Sequence, residues 1–258
     1  MKAATERFTF PDDGTIIRWG FYALMAVCLV VLYLDYRELA EQDPLVKRVL
    51  DNPIPPAVDI PLRQNDGENP TVPYSPTVQT SQDILRKPLE IKLAGDNRLE
   101  LTGTIDPGAA QRFIEETSKI AEYIDMIVLN SPGGSVDDAL SISETIRKNK
   151  WNTHVNDGAL CASSCPIVFA GGVKRTADEK AAIGVHQIYS AGGDTRSLDQ
   201  AISGTQHSTA TIVRHLEEMG TDPDLWIHAL ETPPRNLYYF KPEELDEFKL
   251  VTIEEKKS

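Results

Sequence analysis

The hydrophobic positions of this chain fall into three stretches of different character. The first, Trp19 to Leu34, is apolar throughout and carries no charge. A helix over this run spans about 24 Å, and two preceding isoleucines and the long side chain of Arg18 extend it towards the roughly 30 Å of a bilayer's hydrocarbon core. We therefore predict a transmembrane anchor over residues 14–35, preceded by a tail of residues 1–13.

Two other structures share this apolar pattern. A secretory signal peptide has a small-x-small cleavage site after the run, and the following residues 35–38 provide none. A core helix of a soluble domain has a polar face, which this run lacks. Basic residues flank the run on both sides, and those nearest to it favour a cytoplasmic N-terminus. This orientation places the rest of the chain in the periplasm or an equivalent extracytoplasmic compartment.

The second stretch, residues 36–88, begins with a short helical pattern and then becomes polar and rich in proline. Pro53-Ile54-Pro55-Pro56 and Pro70-Thr71-Val72-Pro73 are typical of it. A segment of this composition buries little apolar surface, so we expect a mostly irregular, extended linker.

The third stretch, residues 89–258, alternates short apolar segments with segments of helical periodicity. Strands that alternate with helices indicate an α/β domain built from βαβ units. The pattern predicts strands at Leu89–Leu93, Leu99–Gly103, Met126–Leu129, Thr153–Val155 and Ala182–Val185, helices at Pro107–Tyr123, Ser135–Lys148, Ser197–Met219, Asp222–Leu230 and Pro242–Phe248, and either a helix or a strand at Pro166–Gly171.

Charge and composition narrow the chemistry. The 258 residues carry a formal net charge of −13, and nucleic acid, whose phosphates attract lysine and arginine, is a poor partner for an acidic chain. The three cysteines form no Cys-x-x-Cys and no zinc-type cluster with histidine, and the sequence has no Gly-x-Gly-x-x-Gly and no phosphate-binding loop. We expect no metal, no nucleotide cofactor, no bound nucleic acid and no ATPase.

Three segments of the α/β stretch contain residues suited to catalysis. Gly133 and Gly134 lie between a buried strand and a helix, where free N–H groups suit a developing negative charge, although an ordinary βα turn has the same composition. Ser163 and Ser164 precede an apolar run, where serine is also a common helix N-cap. His186 closes an apolar strand, a position that also suits a hydrogen-bonded core histidine.

In this order, on successive βα units, these segments resemble the proteolytic subunit of Clp-type proteases, in the crotonase superfamily. The resemblance covers roughly residues 89–252, and its Cys-x-Ser-x-Cys pattern is similar to that of the extracytoplasmic, membrane-linked branch. It implies a crotonase-type βαβ spiral and a homo-oligomer, in rings. The matching residues are Asn130-Ser131-Pro132-Gly133-Gly134, Ala162-Ser163 with Gly172 nine positions after the serine, and Val185-His186-Gln187.

The resemblance implies a serine peptidase. Ser163 would be the nucleophile and His186 the general base, and the loop of Gly133 and Gly134 together with the Ser164 N–H would form the oxyanion hole. The nine-residue spacing selects Ser163, whereas a turn shorter by one residue would make Ser164 the nucleophile.

The third catalytic position departs from the family pattern. Counting back from Pro242-Glu243, the place of the family's aspartate holds Asn236. Asparagine can orient the histidine but cannot stabilise the imidazolium by charge. We expect either a Ser-His-Asn triad or a Ser-His dyad, or the recruitment of another carboxylate.

Three functions follow from these observations. The first is a serine peptidase that cleaves a peptide or protein substrate. The second is a binding module that keeps the fold and the oligomer but has a weakened site. The third is a crotonase-like enzyme acting on acyl-thioesters, which fits worst because that chemistry usually requires carboxylates at the site.

Cys161 and Cys165 bracket Ser163 across the predicted turn. Thiols this close tend to pair in an oxidising compartment, provided that their Cα atoms come within the roughly 4.4–6.8 Å that a disulfide requires. We expect a disulfide that fixes the backbone of the nucleophile, and the alternative is a pair of small buried hydrophobic residues.

Overall fold

A computed structural model describes residues 13–40, 74–189 and 197–252. These residues form two separate units, an N-terminal helix and an α/β unit. Helix α1 (Asp13–Ala40) contains an apolar stretch from Ile17 to Leu34 with a mean hydropathy of 1.9, none of which is buried. The helix is therefore long and apolar enough to cross a membrane, a property that it shares with N-terminal signal sequences.

Eight strands in the described residues form two sheets. They are β1 (Glu90–Ala94), β2 (Arg98–Thr102), β3 (Met126–Asn130), β4 (Asn152–Val155), β5 (Leu160–Ala162), β6 (Arg175–Ala177), β7 (Ala182–Val185) and β8 (Tyr238–Tyr239).

The helices of the α/β unit are mostly short. Those in the described residues are α2 (Gln82–Leu85), α3 (Ala109–Thr117), α4 (Val136–Asn149), α5 (Cys165–Ala170), α6 (Leu198–Glu218), α7 (Leu225–Glu231) and α8 (Pro242–Glu247), with a 3₁₀ turn at Ala121–Tyr123.

The first sheet has the order β1-β2-β3-β4-β6 and the second the order β5-β7-β8. In the first sheet β1 and β2 form an antiparallel hairpin, and the remaining pairs are parallel. In the second, β5 and β7 are parallel and β8 is antiparallel to β7. A parallel bridge between Ser131 and Cys161 joins the end of β3 to β5. The carboxyl ends of β3, β5 and β7 therefore meet, and at open α/β sheets this edge is where ligands bind.

The helices cover the sheets through their apolar faces. Helix α4 packs against α3 and α5, and the fully buried side chains of Phe113, Ile142 and Phe169 form part of the main core. The ends of α4 and α6 are capped: Ser135 accepts a hydrogen bond from Asp138 N, and Ser197 forms a capping box with Gln200.

The prediction of an α/β fold with parallel strands is confirmed, and each predicted strand and helix of the α/β stretch has a counterpart within a few residues. Pro166–Gly171, for which the sequence left two alternatives, is the helix α5. The helix predicted at Pro107–Tyr123 ends at Thr117, and the chain then turns through the 3₁₀ segment into β3. Strands β5, β6 and β8 were not predicted, because two or three residues are too few to establish a period.

Residues 74–88 lie against the α/β unit, although the sequence pattern assigns them to the linker. Leu85 is 1% exposed and joins a buried cluster with side chains of the second sheet. Gln79 N donates to Gly158 O at 2.8 Å, and Asn130 Nδ2 donates to Thr80 Oγ1 at 2.8 Å. These contacts show that the packed unit extends at least to these residues. Residues 41–73 of the predicted linker lie outside the described part of the chain.

Candidate active site

The glycine loop, residues 131–135, follows β3 and leads into α4. Gly133 N donates to Ser131 Oγ at 3.1 Å. The loop is also held by the preceding chain, because Ile105 N donates to Gly133 O at 2.9 Å and Ser135 N donates to Ile105 O at 2.7 Å. A side chain on Gly134 would collide with the carbonyl group of Ile105. The loop is therefore fixed on both sides of Gly134.

Ser163 lies in the sharp turn between β5 and α5. Its φ is +62°, in the left-handed region that residues with a side chain rarely occupy. The turn is pinned, because Ala162 N donates to Ser131 O and Ser163 N donates to Gly184 O, both at 3.0 Å. A strained serine between a strand and a helix is the geometry that presents the nucleophile at the edge of the sheet in α/β-hydrolases.

The glycine loop touches this turn directly. At Gly133, whose φ is +89°, an added Cβ would lie 2.6 Å from Ala162 O, 2.7 Å from the Cβ of Ser163 and 2.8 Å from Ser164 N. Only glycine therefore fits at position 133 without moving the backbone of the turn.

Ser164 occupies the N-cap position of α5, but its side chain does not cap that helix. Its hydroxyl instead reaches across to the glycine loop, where it accepts a hydrogen bond from Gly134 N at 2.8 Å and donates to Gly134 O at 3.3 Å. Ser164 is 2% exposed, whereas Ser163 beside it is half-buried. The Gly134 N–H, which the sequence assigns to the oxyanion hole, thus has an internal acceptor in this structure.

His186 follows β7 and is 2% exposed. Neither ring nitrogen has a hydrogen-bond partner among the described residues, and the ring lies 5.5 Å from that of Tyr189, between centroids. Burial lowers the pKa of the imidazole to about 4, because a buried cation loses its hydration. The side chain is therefore neutral near pH 7 and able to accept a proton.

Ser163, Ser164 and His186 line one cavity together with the glycine loop. Its volume is about 450 Å³. The structure therefore brings together the three segments that the sequence singled out, although no hydrogen bond joins His186 to either serine. Most of the remaining wall is apolar and is formed by Ile105, Pro107, Pro132, Val136, Ile188, Tyr189 and Trp226.

Asp106 is the acidic residue of the cavity wall. Its carboxylate accepts from Arg112 Nη2 at 2.7 Å and from Leu89 N at 3.0 Å, and the bond from Arg112 lowers the pKa of the carboxyl below its usual range. The carboxylate is thus engaged in tying the start of the domain to the loop before α3. Among the described residues no group of three or more histidine, cysteine, aspartate or glutamate side chains is arranged to hold a metal ion.

Cys161 and Cys165 lie on either side of the serine pair, with their Cα atoms 5.1 Å apart. Their sulfur atoms are at bonding distance, and both residues are fully buried. The bridge closes the turn that carries Ser163.

Asn236, the expected third member of the triad, does not meet His186 in this structure. The residue is exposed, lies two positions before β8 and does not line the cavity. Because both ring nitrogens of His186 lack partners, no hydrogen bond joins the histidine to Asn236. The expectation rested on counting residues back from α8, which does not account for the turn that places this side chain in solvent.

Trp226 was missed by the sequence analysis. It is 2% exposed, lines the cavity, and its indole N–H has no hydrogen-bond partner in the described part of the chain. It lies in α7, 40 residues after His186, and its position in the helical pattern predicts only an ordinary core residue. Ile188 and Tyr189 lie two and three positions after His186, and this nearness in sequence to the candidate base was the signal that could have identified them.

Comparison with known families adds one result. Residues 90–224, more than half of the chain, match the family model described as Clp protease. The matched segment includes the glycine loop, Ser163 and His186, and ends before Asn236. A search of the curated proteins found no match to this chain.

Proposed function

Because the chain belongs to the Clp protease family, a family of peptidase-type hydrolases, we propose that it is a membrane-anchored serine peptidase in which Ser163 is the nucleophile and His186 the general base. The observation that carries the proposal is the meeting of the glycine loop, Ser163 and His186 on one cavity. The hydroxyl oxygen of Ser163 attacks the carbonyl carbon of a peptide bond, and its proton passes to a ring nitrogen of His186. The imidazolium then protonates the leaving amine, and water releases the acyl group by the reverse transfers.

Ser163 is a better nucleophile than its neighbour. The hydroxyl of Ser164 is buried and hydrogen-bonded to both the N–H and the carbonyl of Gly134. Ser163 is more exposed and has the strained backbone typical of a presented nucleophile. The geometry thus supports the assignment that the family spacing favours.

The unpartnered nitrogens of His186 support a role in the reaction. A buried donor without a partner costs about 1–3 kcal/mol, so a purely structural histidine is normally hydrogen-bonded. In an empty resting site the histidine and serine are often poorly aligned, and they come together when substrate is bound. Since Asn236 is exposed, we propose that the enzyme works as a Ser-His dyad.

The cavity wall favours peptidase chemistry over chemistry on acyl-thioesters. Carboxylates are needed to move protons in the crotonase-like alternative, and the carboxylate of Asp106 is already held by Arg112 and by Leu89 N. The apolar side chains around Ser163 suit an apolar residue of an extended peptide next to the scissile bond.

Labelling with a fluorophosphonate probe tests the proposal, because the probe reacts only with an activated serine. The detergent-solubilised full chain and the control variant Ser118→Ala, which changes an exposed serine at the end of α3, are expected to be labelled equally. Ser163→Ala is expected to lose all labelling. An unlabelled wild type would instead indicate the binding-module alternative. Persistent labelling of Ser163→Ala would show that another residue is the nucleophile.

We also propose that α1 anchors the protein in the membrane, with the α/β domain in an extracytoplasmic compartment and joined to further copies of the chain. The apolar stretch Ile17–Leu34 supports the anchor, and members of the Clp protease family are typically oligomeric. Mass spectrometry of the mature N-terminus distinguishes a retained anchor from a cleaved signal sequence. Protease protection of intact vesicles tests the orientation, and chemical cross-linking in detergent tests self-association.

A further inference from the structure

The Ser164 hydroxyl forms a contact that neither its position in the chain nor its secondary structure requires. An N-cap serine normally accepts a hydrogen bond from its own helix, but the side chain of Ser164 makes no such bond. It lies on Gly134 instead, accepting from the N–H at 2.8 Å. The Gly134 N–H, which is expected to stabilise the oxyanion, is therefore already hydrogen-bonded to the Ser164 hydroxyl oxygen.

Neither partner of this hydrogen bond can easily withdraw. Gly134 is fixed by the flanking bonds of the loop to Ile105, and a side chain at position 134 would have no room against the Ile105 carbonyl. Ser164 is 2% exposed, and the loop packs so closely that a Cβ on Gly133 would lie 2.8 Å from Ser164 N. The Gly134 N–H is therefore already engaged by the Ser164 hydroxyl when an oxyanion forms beside Ser163.

The hydroxyl can act as the donor itself. A serine hydroxyl has one hydrogen and two lone pairs, so it can accept from Gly134 N and donate elsewhere at the same time. Its present donation to Gly134 O, at 3.3 Å, is long for an O–H···O bond. Rotation about the Cβ–Oγ bond frees this hydrogen at the loss of a weak bond only, and Ser164 lines the same cavity as Ser163.

We propose that Ser164 is a catalytic residue whose hydroxyl, backed by the Gly134 N–H, donates a hydrogen bond to the oxyanion formed when Ser163 attacks its substrate. This inference rests on the proposed function. The chain N–H···O–H···O⁻ leaves both donors in use, and a hydroxyl that accepts one bond is a stronger donor in the next. No covalent bond to Ser164 forms or breaks, and the proton of its hydroxyl stays on its oxygen.

The kinetics of fluorophosphonate labelling test the proposal, because the phosphoryl oxygen of the probe occupies the position of the oxyanion. Removal of one oxyanion donor lowers the rate of the chemical step by about 10²–10³. In the detergent-solubilised full chain, Ser164→Ala should therefore lower the maximal labelling rate about 100-fold and change the probe concentration at half-saturation less than about threefold.

A second pair of variants covers the case in which Ser164→Ala does not fold. Ser164→Thr and Ser164→Val add the same bulk and differ only in the hydroxyl, so the threonine variant should label at least about 10-fold faster than the valine variant. If variants without the hydroxyl label as fast as those with it, or faster, Ser164 merely obstructs the oxyanion hole. If only the probe concentration at half-saturation changes, Ser164 only shapes the cavity. Either result overturns this inference while leaving the peptidase proposal standing, whereas an unlabelled wild type overturns both.

Discussion

A Cβ on Gly133 would lie 2.7 Å from the Cβ of Ser163, which is closer than two non-bonded carbon atoms approach. The two residues are 30 positions apart in the chain, and the contact presses the glycine loop onto the turn that carries the candidate nucleophile. The absence of a side chain at position 133 is therefore a condition for the geometry of the site.

We expect Gly133→Ala to damage both stability and labelling. The substitution combines a positive φ with a steric clash against backbone atoms, so the free energy of unfolding should fall by about 2–4 kcal/mol and probe labelling by more than about 10-fold. Gly95→Ala is the matched control, because nothing lies within 4 Å of the Cβ it adds. Urea unfolding and probe labelling of both variants make the comparison, and similar behaviour of the two would contradict the close contact.

The rate of probe labelling should stay at its neutral-pH value down to an unusually low pH, because His186 remains a neutral base. Burial lowers the pKa of His186 to about 4, and the proposed general base can accept a proton only as the neutral imidazole. Going down from pH 7, the rate should therefore stay level to about pH 5 and fall as the pH passes through about 4. Labelling rates of the full chain measured between pH 7 and pH 3 test this acidic fall. A midpoint near 6.5 would show that the imidazole is solvated in the working enzyme.

The same histidine should make the fold less stable in acid. Below its ordinary pKa of 6.5 the imidazole is protonated in the unfolded chain, whereas it stays neutral in the folded chain to about pH 4. Because the unfolded state binds more protons in this window, the free energy of unfolding falls as the pH is lowered from 6.5 to 4, by about 3 kcal/mol from His186. Burial also lowers the pKa of His215, which acts in the same direction.

Urea unfolding at several pH values measures this effect in wild type and in His186→Gln. The variant has no imidazole at position 186, so its stability should depend less on pH across the window, and His215 accounts for part of what remains. Identical slopes for the two proteins would show that His186 is not desolvated in the folded state.

Substitution of Asn236 should have little effect on the reaction. The residue is exposed and makes no hydrogen bond with His186, so we expect Asn236→Ala to label within about twofold of wild type. The informative comparison is with His186→Ala, for which removal of the base predicts a loss of about 10³–10⁴. A loss of similar size in Asn236→Ala would show that the enzyme uses a Ser-His-Asn triad rather than a dyad.

Alkylation of the native protein tests the bridge between Cys161 and Cys165. When the natively purified protein is denatured without reductant, one adduct is expected, at Cys28 of α1, and after reduction three are expected. The loop is too short for much stabilisation from chain entropy. We therefore expect a Cys161→Ser, Cys165→Ser variant to fold but to label more slowly, because the turn that holds Ser163 is no longer closed. Three adducts without reductant would reject the bridge in the native compartment.

Local pattern was enough to predict the alternation of strands and helices and the three segments of the candidate site. Glycines between a strand and a helix, a serine pair before an apolar run and a histidine after one are local features, and the strands that carry them are short but strongly apolar. The crossings between parallel strands then follow from general rules of α/β folds. Local pattern singled out these segments, and the resemblance to Clp-type proteases then selected Ser163 and His186 within them.

Contacts between distant segments set the features that the pattern did not reveal. Trp226 enters the cavity through the packing of α7, Asn236 is turned into solvent by the turn before β8, and Ser164 bonds to Gly134 rather than to its own helix. The physical reason is common to all three. Periodicity reports which face of an element is buried, but which distant group meets a given atom depends on the packing of the whole chain.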